Sequence, residues 1–126
     1  MAGESGFSRV LVRAVLALSI LGPSAAYAHA MLDHASPAVG STVHAAPAQV
    51  KLWFSEEIEP AFSSLRILDA SGKEVDKRDK AVSPANRTLL TVSIPMLSPG
   101  TYKVLWRVVS VDTHKTQGAF SFTVAP

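Results

Sequence analysis

Apolar and polar residues alternate along most of the chain after Pro47, with the period of two residues that is typical of β-strands. Segments rich in Pro, Gly and Ser interrupt this alternation about every ten residues, as turns between short strands do. We therefore predict an all-β fold, an antiparallel β-sandwich of immunoglobulin-like topology with about seven strands. The strands are expected within Gln49–Ser55, Ser64–Val75 (two strands around a turn at Asp69–Gly72), Arg87–Ile94, Thr101–Ser110 and Gly118–Ala125.

The start of the chain has the pattern of a secretory signal peptide. Two arginines precede a short apolar run, and small residues follow it with Ala26 and Ala28 in the A-x-A positions. The apolar run is about 9 residues long, well short of the roughly 20 residues that a membrane helix needs. We expect residues 1–28 to be a cleaved leader and residues 29–126 to be a single exported domain.

Charge and cysteine content exclude several classes of function. Removing the leader takes away two of the twelve basic residues and one of the ten acidic residues, so ten basic residues remain against nine acidic ones. A net charge this small gives no basis for nucleic-acid or anionic-membrane binding. The chain has no cysteine, which rules out disulfides and thiolate metal sites. We expect a monomer that packing alone stabilises.

Cleavage after Ala28 makes His29 the first residue of the mature protein. Its free α-amine and its ring Nδ1 can then bind one metal ion as a chelate. The unperturbed pKa of an α-amine is about 7.7–8.0, so losing its proton near neutral pH costs little. This ligand exists only in the processed chain.

Asp112 and His114 form a D-x-H pair at the end of the predicted strand within Thr101–Ser110. Residues two apart on a strand project to the same side, so both can face one ion. With His29 the set comprises an amine, two imidazoles and a carboxylate. Tetragonal coordination by nitrogen and oxygen suits Cu(II), and Zn(II) in a tetrahedral arrangement is the competing ion.

The chain resembles the CopC-type periplasmic copper-binding proteins over nearly the whole mature sequence. The resemblance rests on His29 after the leader, on ASPAVGSTVHAAPAQVKLWFSEEIE, and on SPGTYKVLWRVVSVDTHKTQGAFSFTV. It implies a small Greek-key β-barrel or sandwich, a periplasmic location, and a Cu(II) site formed by His29, Asp112 and His114. A glutamate at or next to that site in some members corresponds to Glu56.

The sequence departs from the family where some members carry a Cu(I) site in a Met- and His-rich loop. Residues 68–88 contain no methionine and no histidine, and the only methionines after the leader are Met31 and Met96. Cu(I) prefers soft thioether ligands. We therefore expect one Cu(II) site and no Met-rich Cu(I) site.

The expected function is that of a non-enzymatic Cu(II) carrier, chaperone or buffer in copper homeostasis or resistance. The alternative is an enzyme, a copper monooxygenase that uses an N-terminal histidine chelate. Some relatives are fused to a membrane copper importer. Because this chain ends at Pro126 after the last expected strand, a transporter of the CopD type is expected to be a separate partner.

The remaining histidines and Arg107 are given lesser roles. His34 is expected to be a bystander and His44 a surface residue, while Trp53 and Trp106 are expected to pack. Two interpretations of Arg107 stay open: it pairs with a carboxylate of the site, or it lies solvated along its strand.

Overall fold

The computed structural model describes residues 31–126, which form two four-stranded sheets packed face to face. The first sheet has the strand order β1-β3-β6-β5 and the second has the order β2-β8-β7-β4. The strands are β1 (Leu32–Ser36), β2 (Thr42–Val43), β3 (Gln49–Phe54), β4 (Ser64–Leu68), β5 (Ala81–Val82), β6 (Leu89–Ser93), β7 (Gly100–Val109) and β8 (Lys115–Val124). The predicted all-β sandwich is confirmed. The predicted leader lies outside the described residues.

The alternation in the sequence determines which side of each strand faces the core. On β3, Val50, Leu52 and Phe54 point inward, and on β7 and β8 the inward positions include Val104 and Phe122. These side chains fill the space between the sheets, and burying them stabilises the fold through the hydrophobic effect. No helix in residues 31–126 has the length and apolar character that crossing a bilayer would require.

Three features differ from the strand pattern expected from the sequence. The segment ending at Val75 makes only an isolated bridge between Leu68 and Glu74, and β5 begins six residues after Val75. Strands β1 and β2 precede Pro47, where no strand was predicted. The β2–β8 pair is parallel, although all other pairs are antiparallel. Both β1 and β2 are short and mostly exposed, so their sequences carry little periodicity.

The β7–β8 hairpin places its turn at one end of the sandwich. The two strands pair along ten positions, from Gly100 with Val124 to Val109 with Lys115. The segment that leaves β3 runs past the same end, where Ile58 is fully buried and bridges to Ser110. Residues distant in sequence therefore meet around this turn.

Candidate metal centre

Asp112 and His114 lie on the tight turn that joins β7 to β8. The Ser110 N–H donates to the carbonyl of His114 at 2.9 Å, and the Thr113 N–H donates to the carbonyl of Ser110 at 2.9 Å. Thr113 has φ = +72°, in the left-handed region that a β-branched residue rarely adopts. A turn closed by a left-handed residue is a common way to end a three-residue hairpin loop. The two residues thus meet across a turn, and not along an extended strand as expected.

Glu56 reaches this turn because the segment after β3 is hydrogen-bonded to the end of β7. The Val111 N–H donates to the carbonyl of Glu57 at 3.0 Å, and the Glu59 N–H donates to the carbonyl of Val109 at 2.9 Å. These bonds bracket the bridge made by the buried Ile58. Glu56 is thereby held beside the turn by backbone contacts on its carboxyl-terminal side.

The side chains of Glu56, Asp112 and His114 converge on one point. One donor atom from each lies within 4.8 Å of the other two. Nδ1 of His114 is 3.3 Å from Oδ2 of Asp112, and both side chains are roughly half exposed. Donor atoms at about 2 Å from one ion are at most about 4 Å apart, so small side-chain movements would let all three bind it. Among residues 31–126 this is the group of acidic and histidine side chains arranged to hold a metal ion.

Ser110 sets the orientation and the ionisation of Asp112. Its side chain is fully buried, and its hydroxyl donates a hydrogen bond to Oδ1 of Asp112. This bond lowers the pKa of the Asp112 carboxyl below its ordinary value, and the charge of the neighbouring His114 lowers it further, while desolvation opposes them. The carboxylate is therefore kept in the ionised form that a cation needs.

The first described residue of the chain lies directly beside Glu56. The Met31 N–H donates to Oγ of Ser55 at 2.8 Å, and the Ser55 N–H donates to the carbonyl of Met31 at 2.8 Å. The chain therefore comes to the metal centre two residues after His29, which itself lies outside the described residues.

The other two histidines in residues 31–126, His34 and His44, do not belong to this cluster. The ring of His34 stacks on the indole of Trp53 with centroids 4.3 Å apart, and its Nδ1 is 2.9 Å from Oδ2 of Asp33. His44 is exposed just after β2.

Trp106 packs edge-on against Phe54 at 5.3 Å, as expected for a packing residue.

Two residues near the site were not predicted from the sequence. Arg87, and not Arg107, pairs with a glutamate of the segment, its Nε lying 3.6 Å from Oε2 of Glu57. Ser110 was also missed, although it continues the inward series of β7 that includes Val108. A polar residue in a core-facing position signals a buried hydrogen bond, and that signal was available in the sequence.

The donor set fits a divalent cation that accepts nitrogen and oxygen ligands. An exposed cluster of one imidazole and two carboxylates can exist without a bound ion. Here, however, the hydrogen bond from Ser110 fixes the orientation of the Asp112 carboxylate. The two further nitrogen ligands that the sequence predicts from His29, its α-amine and its ring, would favour Cu(II), which heads the divalent first-row series.

Comparison with known proteins identifies the fold and the family. The CopC domain family matches residues 32–125. The chain is 39% identical over 112 residues to protein YobA of Escherichia coli strain K12, covering 88% of this chain and 90% of YobA. It is 34% identical over 124 residues to copper resistance protein C of Xanthomonas campestris pv. juglandis, covering 94% and 97% of the two chains. The crystal structure of CopC from Methylosinus trichosporium OB3b matches with a TM-score of 0.73 at 41% identity, over 78% of this chain and 95% of that one.

Proposed function

The chain belongs to the CopC family, and on this premise we propose that it is a Cu(II)-binding protein of the periplasm that carries or buffers copper. The relative from Xanthomonas campestris is named a copper resistance protein, which supports a role in copper resistance or homeostasis. The observation that carries the proposal is the convergence of Glu56, Asp112 and His114 within 4.8 Å.

The proposed ligands are His29, Asp112 and His114, with Glu56 at the edge of the same site. His29 contributes its α-amine and its ring once the leader is removed. The paired hydrogen bonds between Met31 and Ser55 support this assignment, because they hold the chain beside Glu56 only two residues later. Binding by a neutral imidazole and a deprotonated amine releases protons, so capture and release of the ion follow pH.

We propose a single Cu(II) site without a Met-rich Cu(I) site. Residues 68–88 contain no thioether or imidazole ligand. Met31 and Met96 are 62% and 91% exposed, and they lie just before the first strand and in the loop after β6. A monomeric carrier of this kind would exchange its ion with a separate membrane copper transporter of the CopD type.

Titration of the mature protein with Cu(II), followed by EPR and calorimetry, tests the proposal. The protein must begin at His29, which intact mass verifies, and we expect one tightly bound ion. His29→Ala, His114→Ala, and a variant with one glycine added before His29 should each lose tight binding. His44→Ala is the matched control, since His44 is an exposed histidine outside the cluster, and its affinity should not change.

A chain that binds no Cu(II) tightly, or binds it equally well after His114→Ala, contradicts the proposal. The enzymatic alternative has its own readout. Oxidative cleavage of a polysaccharide by the copper-loaded protein with a reductant, lost in His29→Ala, would show a monooxygenase instead of a carrier.

A further inference from the structure

A rigid turn holds Phe62 in solvent at the same end of the molecule as the metal centre. Phe62 belongs to the 3-10 turn Pro60–Phe62 and is 71% exposed. The turn is fixed on both sides: the Ser63 hydroxyl donates to the carbonyl of Glu59 at 2.7 Å and accepts from the Val109 N–H at 3.1 Å. The Lys80 ammonium also donates to the carbonyl of Pro60 at 3.0 Å. The exposure of this ring is thus built into the fold.

Phe62 forms one wall of a groove of about 450 Å³ whose charged residues are all basic. Arg107 and Lys115 lie along the groove, and Val109 and Thr113 contribute to its lining. Neither Arg107 nor Lys115 makes an ion pair with an acidic residue in the part of the chain that the structure describes. An aromatic ring beside two uncompensated cations offers both an apolar contact and a positive potential.

The groove continues into a second depression on the outer face of β4, β7 and β8. Arg107 and Ser64 line both depressions, and Arg66, Leu105 and Gln117 line the second one. Glu74 neutralises Arg66 at 3.2 Å, so the uncompensated charge is concentrated at the Phe62 end. That end is also the one closest along the chain to the metal centre, because Thr113 stands between Asp112 and His114.

We propose that this groove docks a segment of a partner protein that carries carboxylates next to apolar side chains. The carboxylates meet Arg107 and Lys115, and an apolar side chain packs on Phe62. A polypeptide fits better than a free anion, because an inorganic anion makes no use of the aromatic wall. It also fits better than a bilayer, since the surface is concave and two free cations with one aromatic residue are a weak membrane anchor.

Docking in this groove would place the partner next to the metal centre, a consequence that rests on the proposed function. A bound segment contacts Thr113, the residue between two proposed copper ligands. The partner would therefore lie against the turn from which the ion is passed. Docking itself needs only the folded protein, so it can be measured without copper.

Amide chemical shifts of the metal-free protein beginning at His29 test the proposal. The probe is an acetylated six-residue peptide in which Glu and Leu alternate, and its charge-reversed control alternates Lys and Leu. We expect saturable shifts at Phe62, Arg107, Thr113 and Lys115 with the acidic peptide and none with the basic one. Phe62→Ser and Arg107→Glu should each weaken binding about tenfold, as loss of a central interface contact does.

Two matched variants show whether the effect belongs to the groove. Met96→Ser removes an exposed apolar side chain elsewhere, and Lys103→Glu makes the same charge change as Arg107→Glu farther along β7. Both should bind the peptide like the unmodified protein, and a dispersed spectrum shows that each variant is folded. Equal binding by Phe62→Ser, or shifts spread over the whole surface, overturns the proposal.

Vesicles and copper distinguish the groove from a membrane contact and from the metal centre. If the acidic peptide does not bind but phosphatidylglycerol vesicles broaden the same amides, the surface is a membrane contact and the proposal is wrong. Failure to bind Cu(II) with normal peptide binding contradicts the proposed function alone. Normal Cu(II) binding without peptide binding contradicts the docking groove alone.

Discussion

The buried hydroxyl of Ser110 donates a hydrogen bond to the half-exposed carboxylate of Asp112, which ties a proposed copper ligand to the core. Ser110 lies in the inward series of β7, so its position follows from the packing of the sandwich. The orientation of Asp112 is therefore set before any metal ion arrives. Residues that hydrogen-bond to metal ligands, without binding the metal themselves, typically orient those ligands in this way.

Ser110→Ala should weaken Cu(II) binding by about tenfold, because groups that orient metal ligands typically contribute 10- to 100-fold in affinity. Calorimetric titration of the mature protein measures the change. Ser63→Ala is the matched control, since Ser63 is also buried and bridges Glu59 and Val109 without touching a proposed ligand. If Ser63→Ala reduces affinity as much, then general loss of stability accounts for the effect and the positioning role of Ser110 is refuted.

Thr113→Gly should leave the protein as stable as before or more stable. A left-handed conformation costs an L residue roughly 1–2 kcal/mol, and the added flexibility of glycine costs about 0.5–1 kcal/mol, so the net gain is at most about 1.5 kcal/mol. Copper affinity should fall severalfold, because the turn between Asp112 and His114 becomes more flexible. Chemical denaturation and metal titration measure the two effects.

Thr91→Gly provides the comparison for that variant. Thr91 lies inside β6, where glycine weakens a strand by about 0.5–1 kcal/mol. A loss of stability in Thr113→Gly as large as that in Thr91→Gly would show that the positive φ of Thr113 is not a source of strain.

Gly118→Ala should destabilise the fold by about 1–3 kcal/mol, as overpacking of a well-packed region does. Gly118 pairs with Trp106 across β7 and β8, and an added Cβ would lie 2.5 Å from Cζ2 of that indole. Moving the ring away from Gly118 would disturb its edge-on contact with Phe54. The midpoint of thermal unfolding measures the loss.

Ala119→Ser is the control for Gly118→Ala, because Ala119 is the next residue of β8 and is exposed. Its substitution should change stability by less than about 0.5 kcal/mol. Equal melting midpoints for Gly118→Ala and the unmodified protein would show that Trp106 has another place to pack.

The pH dependence of Cu(II) binding should come from the amine and the imidazoles, and not from Asp112. The pKa of Asp112 is held below its ordinary value of 3.8, chiefly by the hydrogen bond from Ser110. A lowered folded-state pKa means that the ionised carboxylate stabilises the protein above about pH 3.8. That contribution is lost only as the pH falls through the lower folded-state value.

Titrations at pH 8, 7 and 6 should therefore show affinity falling as protons compete for the nitrogen ligands. NMR of the Asp112 side chain in the metal-free protein should show no titration over this range. A carboxyl that titrates above pH 4, or a pH dependence that disappears in Asp112→Asn, would contradict this assignment.

Much of the fold was predictable because strand periodicity is a local property. Val50, Leu52 and Phe54 alternate with more polar neighbours, so burial of one side of β3 could be predicted without knowing its partners. Strands β1 and β2 could not be predicted this way, since they form where a neighbouring strand offers free backbone groups. The strand predicted to end at Val75 does not form, because no neighbouring strand pairs with it beyond a single bridge between Leu68 and Glu74.

The chemistry of the candidate site follows from the order of its residues along the chain. The sequence showed which residues bear imidazole and carboxylate groups, and the D-x-H spacing of Asp112 and His114 makes them neighbours in any fold. The expectation that His29 supplies a chelating amine also comes from the sequence, through the pattern of the leader. These are covalent properties, which the order of residues fixes before folding.

Which distant residues meet at the site depends on the three-dimensional fold. Glu56 and Asp112 are 56 positions apart, and they converge because the buried Ile58 and its backbone neighbours attach one segment to the end of β7. The same packing puts the hydroxyl of Ser110 behind Asp112 and pairs Glu57 with Arg87. Contacts between distant positions depend on how two sheets close around a core, and that is a property of the whole chain.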